Sequence, residues 1–161
     1  MAYALVEYVH MWEMALWVFI RMPHAVDVTS VSRAALPTGF SVAKNITGVQ
    51  FGNKGAVGIG FRWRETTLAF VMAHLPARPD LARLRKREAD YRRIVNDLSL
   101  ETPTVGTVAL AAGAQPPPPP PGSALPSGID WVHGHDHVWF FGDTNYRVDL
   151  PFERCVRVRT P

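Results

Sequence analysis

Val138-Trp139-Phe140-Phe141 runs straight into Gly142-Asp143-Thr144-Asn145, and this stretch leaves the chain little conformational choice. Four apolar residues of β-forming type make a buried strand. The Gly-Asp that follows stops it and projects a carboxylate and an amide from its end. An Asp and an Asn two apart on a turn reach the same small volume. One can act as metal ligand or water activator, the other as a neutral hydrogen-bond partner for an oxyanion. A plain Asx-turn closing a strand reads equally well from the same residues.

At 161 residues with 47% apolar side chains the chain can bury one core, which makes a single domain the starting expectation. The single cysteine, Cys155, rules out an internal disulfide framework and fits a reducing compartment. Glu7, His10 and Glu13 interrupt the apolar N-terminal stretch. No apolar run then approaches the ~20 residues of a membrane span, so a soluble protein is expected. A net charge of +3 says little by itself. Its distribution says more, because seven basic residues against three acidic ones lie between Arg78 and Arg93.

Residues 2–13 place Leu5, Val9 and Trp12 at i, i+4 and i+7, which predicts a short amphipathic helix. Ala15 to Arg21 reads as a strand stopped by Pro23, and Trp12 and Trp17 as core residues. Val26, Val28 and Val31 alternate as in one further strand. Gly48, Gly52, Gly55, Gly58 and Gly60 follow closely. Within them, Gly52-Asn53-Lys54-Gly55 fits either a tight hairpin turn or a loop offering N–H groups and an ammonium to phosphate, although no Walker pattern is present. Ala56 to Arg62 and Thr67 to Ala73 form a hairpin across Arg64-Glu65-Thr66, delivering His74 at the end of its second strand. That histidine is either structural or a donor to a transferring phosphoryl group.

Pro76 to Leu100 becomes a helix capped by Asp80, with Leu81, Leu84, Tyr91, Val95 and Leu98 as its buried stripe and the arginines outside. Such a basic face is either simply solvated or suited to a polyanionic headgroup or an anionic membrane surface. Six prolines, Pro116 to Pro121, place an extended insertion at about 102–128, for which a polyproline-binding partner is a candidate. His133, His135 and His137 with Asp136 alternate so that one strand face could chelate a transition metal.

Gly52-Asn53-Lys54-Gly55, then Ala73-His74-Leu75, then Asp90-Tyr91, then Gly142-Asp143-Thr144-Asn145-Tyr146-Arg147 occur in an order that resembles the inositol polyphosphate 5-phosphatase family of the endonuclease/exonuclease/phosphatase superfamily. The resemblance extends from about Trp17 to Val158. It implies an α+β fold, part of a four-layer α/β sandwich with mainly antiparallel sheet and flanking helices. Because that fold needs a longer chain, residues 1–161 are expected to be a partial domain carrying the proline-rich insertion. The implied activity is Mg2+-dependent hydrolysis of a phosphoinositide or inositol polyphosphate, in the cytoplasm and peripherally at membranes. A Mg2+-dependent nuclease of the same superfamily and a catalytically inactive phosphoinositide-binding fragment are the alternatives. The Asn-Lys-Gly loop and Asn145-Tyr146-Arg147 favour the phosphatase, so no nucleic-acid partner is expected.

The resemblance implies that His74, Asp143 and Asn145 are catalytic. It likewise implies that Asn53, Lys54, Arg87, Tyr146 and Arg147 hold substrate, with Lys54, Arg87 and Arg147 as cations on neighbouring phosphates. Three departures stand out. Met72 and Ala73 occupy positions where the family has Asn and Ser, and Ala56 replaces a glycine. The family's metal-binding Glu, its Pro-Ala-Trp-x-Asp-Arg block and its Ser-Asp-His block have no counterpart, so no metal ligand is assigned.

Overall fold

The structure, a computed structural model, describes residues 2–39, 53–100 and 131–146, together with Leu150 and Arg154. Arg147, Cys155, the glycine-dense stretch through Gly52 and the proline-rich insertion at about 102–128 lie outside the described residues. Strands β1 (Tyr3–Met11) and β2 (Met14–Arg21) form an antiparallel hairpin. A 3-10 turn at Met22–Asp27 leads into β3 (Val28–Pro37), β4 (Gly55–Trp63) and β5 (Thr66–His74). Helix α1 (Leu81–Asp97) and strand β6 (His137–Asp143) complete the described elements. The larger sheet has the order β3-β4-β5-β6, antiparallel except for the parallel pair β5 and β6.

The central strands of the sheet are covered on both faces, whereas β6, expected to be a buried strand, leaves Trp139 and Phe141 46% and 40% exposed. Val9, Met14, Leu16 and Val18 of the hairpin pack on Val57, Ile59 and Phe61 of β4. On the other face, Ala69, Val71 and Ala73 of β5 meet Ile94, Leu98, Leu100 and Trp131. Full burial of each large aliphatic side chain stabilises by about 1.5–3 kcal/mol. Hairpin, four-stranded sheet and helix are thus three layers of the α+β sandwich that the sequence leads one to expect.

The β2 strand, the β4–β5 hairpin with its turn at Arg64-Glu65, and α1 fall where the sequence places them. Asp80 caps the helix by accepting from Arg83 N at 2.9 Å. Residues 3–11, however, are strand rather than helix. A register irregularity between Leu5 and Glu7 shifts the alternation, so Val6, Val9 and Met11 face the hairpin core. Of the three residues at helical spacing only Val9 is buried, since Leu5 and Trp12 are exposed, so the spacing marks no common face. Trp12 and Trp17 are correspondingly not core residues, being 46% and 55% exposed.

The inner face of α1 also differs from expectation. Leu81 and Tyr91 are exposed, and the buried positions are Arg87, Asp90 and Ile94. The three histidines of 133–137 do not share a strand face, because β6 begins only at His137 and the preceding residues turn. His135 is buried with Nδ1 3.0 Å from Trp131 O, and His133 and His137 are exposed. Asp136 instead accepts from Thr67 N and Thr67 Oγ1, each at 2.8 Å, fastening the start of β6 to the start of β5.

Candidate active site

Parallel pairing decides the site. Because β5 and β6 run the same way, both deliver their last residues to one edge of the sheet, and the register sets His74 opposite Asp143. On the other side of β5, antiparallel pairing sets Gly55 opposite His74. Lys54, just before β4, is therefore the third arrival. Crevices outside the carboxyl ends of strands are where open α/β sheets hold ligands.

Three side chains meet there. Lys54 Nζ lies 2.5 Å from His74 Nε2 and 3.5 Å from Nδ1. His74 Nε2 is 3.7 Å from Asp143 Oδ2, with the two side chains 26% and 66% exposed. An ammonium has only donors, so in this arrangement the imidazole nitrogen facing it accepts. Burial pushes the Lys54 ammonium below the usual lysine range, opposed by the charges of Asp143 and then Glu13. Asn53, one residue earlier, is exposed beside them.

Two glycines permit the approach. A Cβ on Gly55 would fall 2.2 Å from Leu36 O and 2.7 Å from Met11 Cε. Gly142 has φ +114°, and a Cβ there would fall 2.3 Å from Ala73 O. The left-handed conformation at Gly142 is one that L side chains rarely adopt. After it, Asp143 Oδ1 accepts from Asn145 N at 3.2 Å, which is the Asx-turn the sequence also allowed. The turn leaves Oδ2 on the side of His74.

Asn145 has φ +54°, and its Nδ2 donates to Leu75 O at 3.0 Å while Leu75 N donates to Asp143 O at 3.0 Å. The ends of β5 and β6 are thereby laced together beyond the last ladder bonds. Tyr146 is half exposed, and the Arg87 guanidinium carbon lies 5.6 Å from its ring centroid. Arg87 itself is not presented to a ligand. It is 2% exposed, and its Nη1 donates to Pro76 O at 3.0 Å and to Arg78 O at 2.7 Å. Its assignment as a phosphate-holding cation is corrected on that ground, since the guanidinium is buried and its Nη1 is turned toward backbone carbonyls. Arg147 lies outside the described residues.

Sequence reasoning missed the residues that shape the site from a distance. Met11 and Glu13 reach it because the β1–β2 turn sits over the start of β4, a tertiary fact without local pattern. Nothing in the local sequence marks Thr38, whose N donates to Lys54 O at 2.8 Å. In the sequence Asp90 stands out only as half of Asp-Tyr. Its i−4 spacing from Lys86, an ion pair in the structure, was the available signal.

Comparison with known proteins bears on the family and the fold. The model of endonuclease/exonuclease/phosphatase family 2 matches residues 1–160. Synaptojanin-2 of Rattus norvegicus is 31% identical over 138 residues, which are 86% of this chain and 7% of that protein. The phosphatidylinositol 3,4,5-trisphosphate 5-phosphatase 1 of Homo sapiens is 28% identical over 141 residues, 88% of this chain and 9% of that one. The inositol polyphosphate 5-phosphatase domain of SpSynaptojanin, solved with inositol (1,4)-bisphosphate and calcium ion, superimposes with a TM-score of 0.59 at 26% identity. That match covers 96% of this chain and 34% of the solved one, so the chain spans about a third of the solved domain's length. On the order of its motifs, the convergence of its strand ends and these matches, the chain belongs to endonuclease/exonuclease/phosphatase family 2, as a partial domain of the inositol polyphosphate 5-phosphatase type.

Proposed function

We propose that this site handles the phosphate of an inositol polyphosphate or phosphoinositide in phosphomonoester hydrolysis. The observation that carries the reading is the meeting of Lys54, His74 and Asp143 at the carboxyl ends of β5 and β6. A phosphate entering beside Lys54 exchanges the Lys54–His74 contact for charge-assisted bonds to its own oxygens, which are the stronger kind. His74 then donates to a phosphoryl or leaving oxygen. Asp143, largely exposed, accepts a proton from the attacking water as the new P–O bond forms and the bond to the inositol oxygen breaks. Asn145 holds the turn that aims Asp143, and the exposed Asn53 and Tyr146 are assigned to the substrate through the resemblance alone.

The family implies a divalent cation, Mg2+ in the reading made from the sequence. Mg2+ takes about six oxygens in near-octahedral array. Among the described residues no three His, Cys, Asp or Glu side chains gather in a way that could hold a metal ion. At the site, one Asp143 oxygen already accepts from Asn145 N, and His74 faces an ammonium. These residues by themselves do not fit Mg2+. The same observation favours a second reading, in which the chain binds the headgroup without turning it over. On either reading the exposed Arg83, Arg85, Arg92 and Arg93 of α1 suit an anionic membrane surface in the cytoplasm.

Phosphate release from phosphatidylinositol 4,5-bisphosphate with Mg2+ present separates the readings. Catalysis requires the wild type to exceed Asp143→Ala by about 10²-fold or more. Equal release, with inositol (1,4)-bisphosphate binding that survives Asp143→Ala and is lost in Lys54→Ala, supports the binding module. Absence of both release and binding would falsify the site.

A further inference from the structure

We infer that one turn of α1, carrying Lys86, Arg87 and Asp90, is a clamp that positions both walls of the phosphate site. This rests on the functional reading above and adds residues that act through others rather than on the substrate. Arg87 and Asp90 are each 2% exposed. Charged groups are so buried only at a cost, which hydrogen bonds and partners must offset. Their partners show where that cost is directed.

Arg87 grips the strap that follows His74. Its Nη1 bridges Pro76 O and Arg78 O, and its guanidinium lies over the ring of Tyr146. The strap is the one to which the Asp143 turn is laced, through Asn145 Nδ2 to Leu75 O and Leu75 N to Asp143 O. Arg78 holds φ +85°, a conformation a non-glycine residue keeps only when its surroundings impose it. The bridging guanidinium is such an imposition.

The neighbouring pair grips the opposite wall. Lys86 Nζ donates to Thr38 O at 3.3 Å and pairs with Asp90 Oδ1. Thr38 N and Gly39 N in turn donate to Lys54 O, at 2.8 and 3.1 Å. The end of β3 thus connects α1 to the residue that supplies the site's ammonium. Within a single helical turn, then, two tethers run to Lys54 and to the Asp143–Tyr146 turn. The exposed arginines of the same helix reach neither wall through any of these bonds.

Amide hydrogen exchange and inositol (1,4)-bisphosphate titration of the 161-residue chain test this. Arg87→Met should speed exchange at Leu75 and Asn145 at least tenfold, leave Ile59 and Val71 unchanged, and weaken headgroup binding about tenfold. Lys86→Met should release Thr38 and Gly39 while sparing Leu75. Glu88→Gln, at an exposed position of the same helix, should change none of these, and Ile94→Val should lower global stability without altering affinity. If Arg87→Met does not fold, Arg87→Lys, which keeps the charge but loses the planar fork, is read at the same amides. Uniform acceleration throughout the sheet, or no local acceleration, overturns the clamp. A wild type that binds no headgroup sinks the functional reading instead, and the exchange pattern still decides the clamp.

Discussion

Lys54 shows how much a single residue's chemistry depends on neighbours that local sequence does not announce. Burial lowers its affinity for a proton, and Asp143 and Glu13 oppose that effect. Asp143→Asn should therefore lower the Lys54 pKa further, and Glu13→Gln should lower it less, as read from the Lys54 Cε resonance during a pH titration. An unchanged titration in Asp143→Asn would mean that the two charges do not share a site. Gly142 makes a backbone prediction at the same scale. With φ +114° and Ala73 O in the way, Gly142→Ala should cost roughly 2–4 kcal/mol in urea unfolding, among the larger single-site losses. His74 and Asp143 were legible as the ends of two strands, but what singled them out together with Lys54 was the order of the motifs, since on local pattern alone each also has a plain structural reading. Glu13 and Met11 were not, because stacking the hairpin over β4 is what brings them there.

Among elements, the entry to β6 carries its own pH dependence. Thr67 holds the Asp136 carboxyl below the usual aspartate value of 3.8 through its backbone and side-chain donors. Its stabilisation is present above that value and is lost as acid takes the pH down through the lowered folded pKa. Burial lowers His135 from 6.5, with Trp131 O and Asp136 opposing. The unfolded chain then takes the proton first, so stability declines as pH falls below 6.5 toward the folded pKa. Thermal melts from pH 7.5 to 3 should show both declines. His135→Gln should remove the upper one and Asp136→Asn the lower. A curve in Asp136→Asn that still falls below pH 4 as in the wild type would sever the carboxylate from β6. The histidine spacing had suggested a metal face, but periodicity of two carries meaning only inside a strand, and the strand starts too late.

At the scale of the molecule, the layers decide which apolar residues matter. Leu16 lies between hairpin and sheet at 7% exposed, whereas its neighbour Trp17 is 55% exposed. Leu16→Ala should cost about 2–5 kcal/mol in chemical denaturation, the range for a truncated core leucine. Trp17→Ala should cost much less, despite removing a larger side chain. Equal losses would show that the outer face of the hairpin is covered. The sandwich class was legible from the order of the motifs, through the family they resemble. The hairpin's first strand was not, since its apolar residues fall at a helical spacing by chance, two of the three being exposed.

The parallel pair β5 and β6 has a kinetic corollary. His74 and Asp143 are 69 positions apart along the chain, and the six prolines fall between them. Closing so long a loop adds little to the equilibrium cost, about 0.6 kcal/mol per doubling. It does slow the search, because distant partners must meet before any contact rewards them. Under refolding conditions the β4–β5 hairpin should therefore form well ahead of β6, and a chain shortened between residues 104 and 126 should dock that strand sooner at nearly unchanged stability. The meeting of Asp143 with Lys54 and His74 would be the last feature the molecule gains as it folds, a late clock of its maturation.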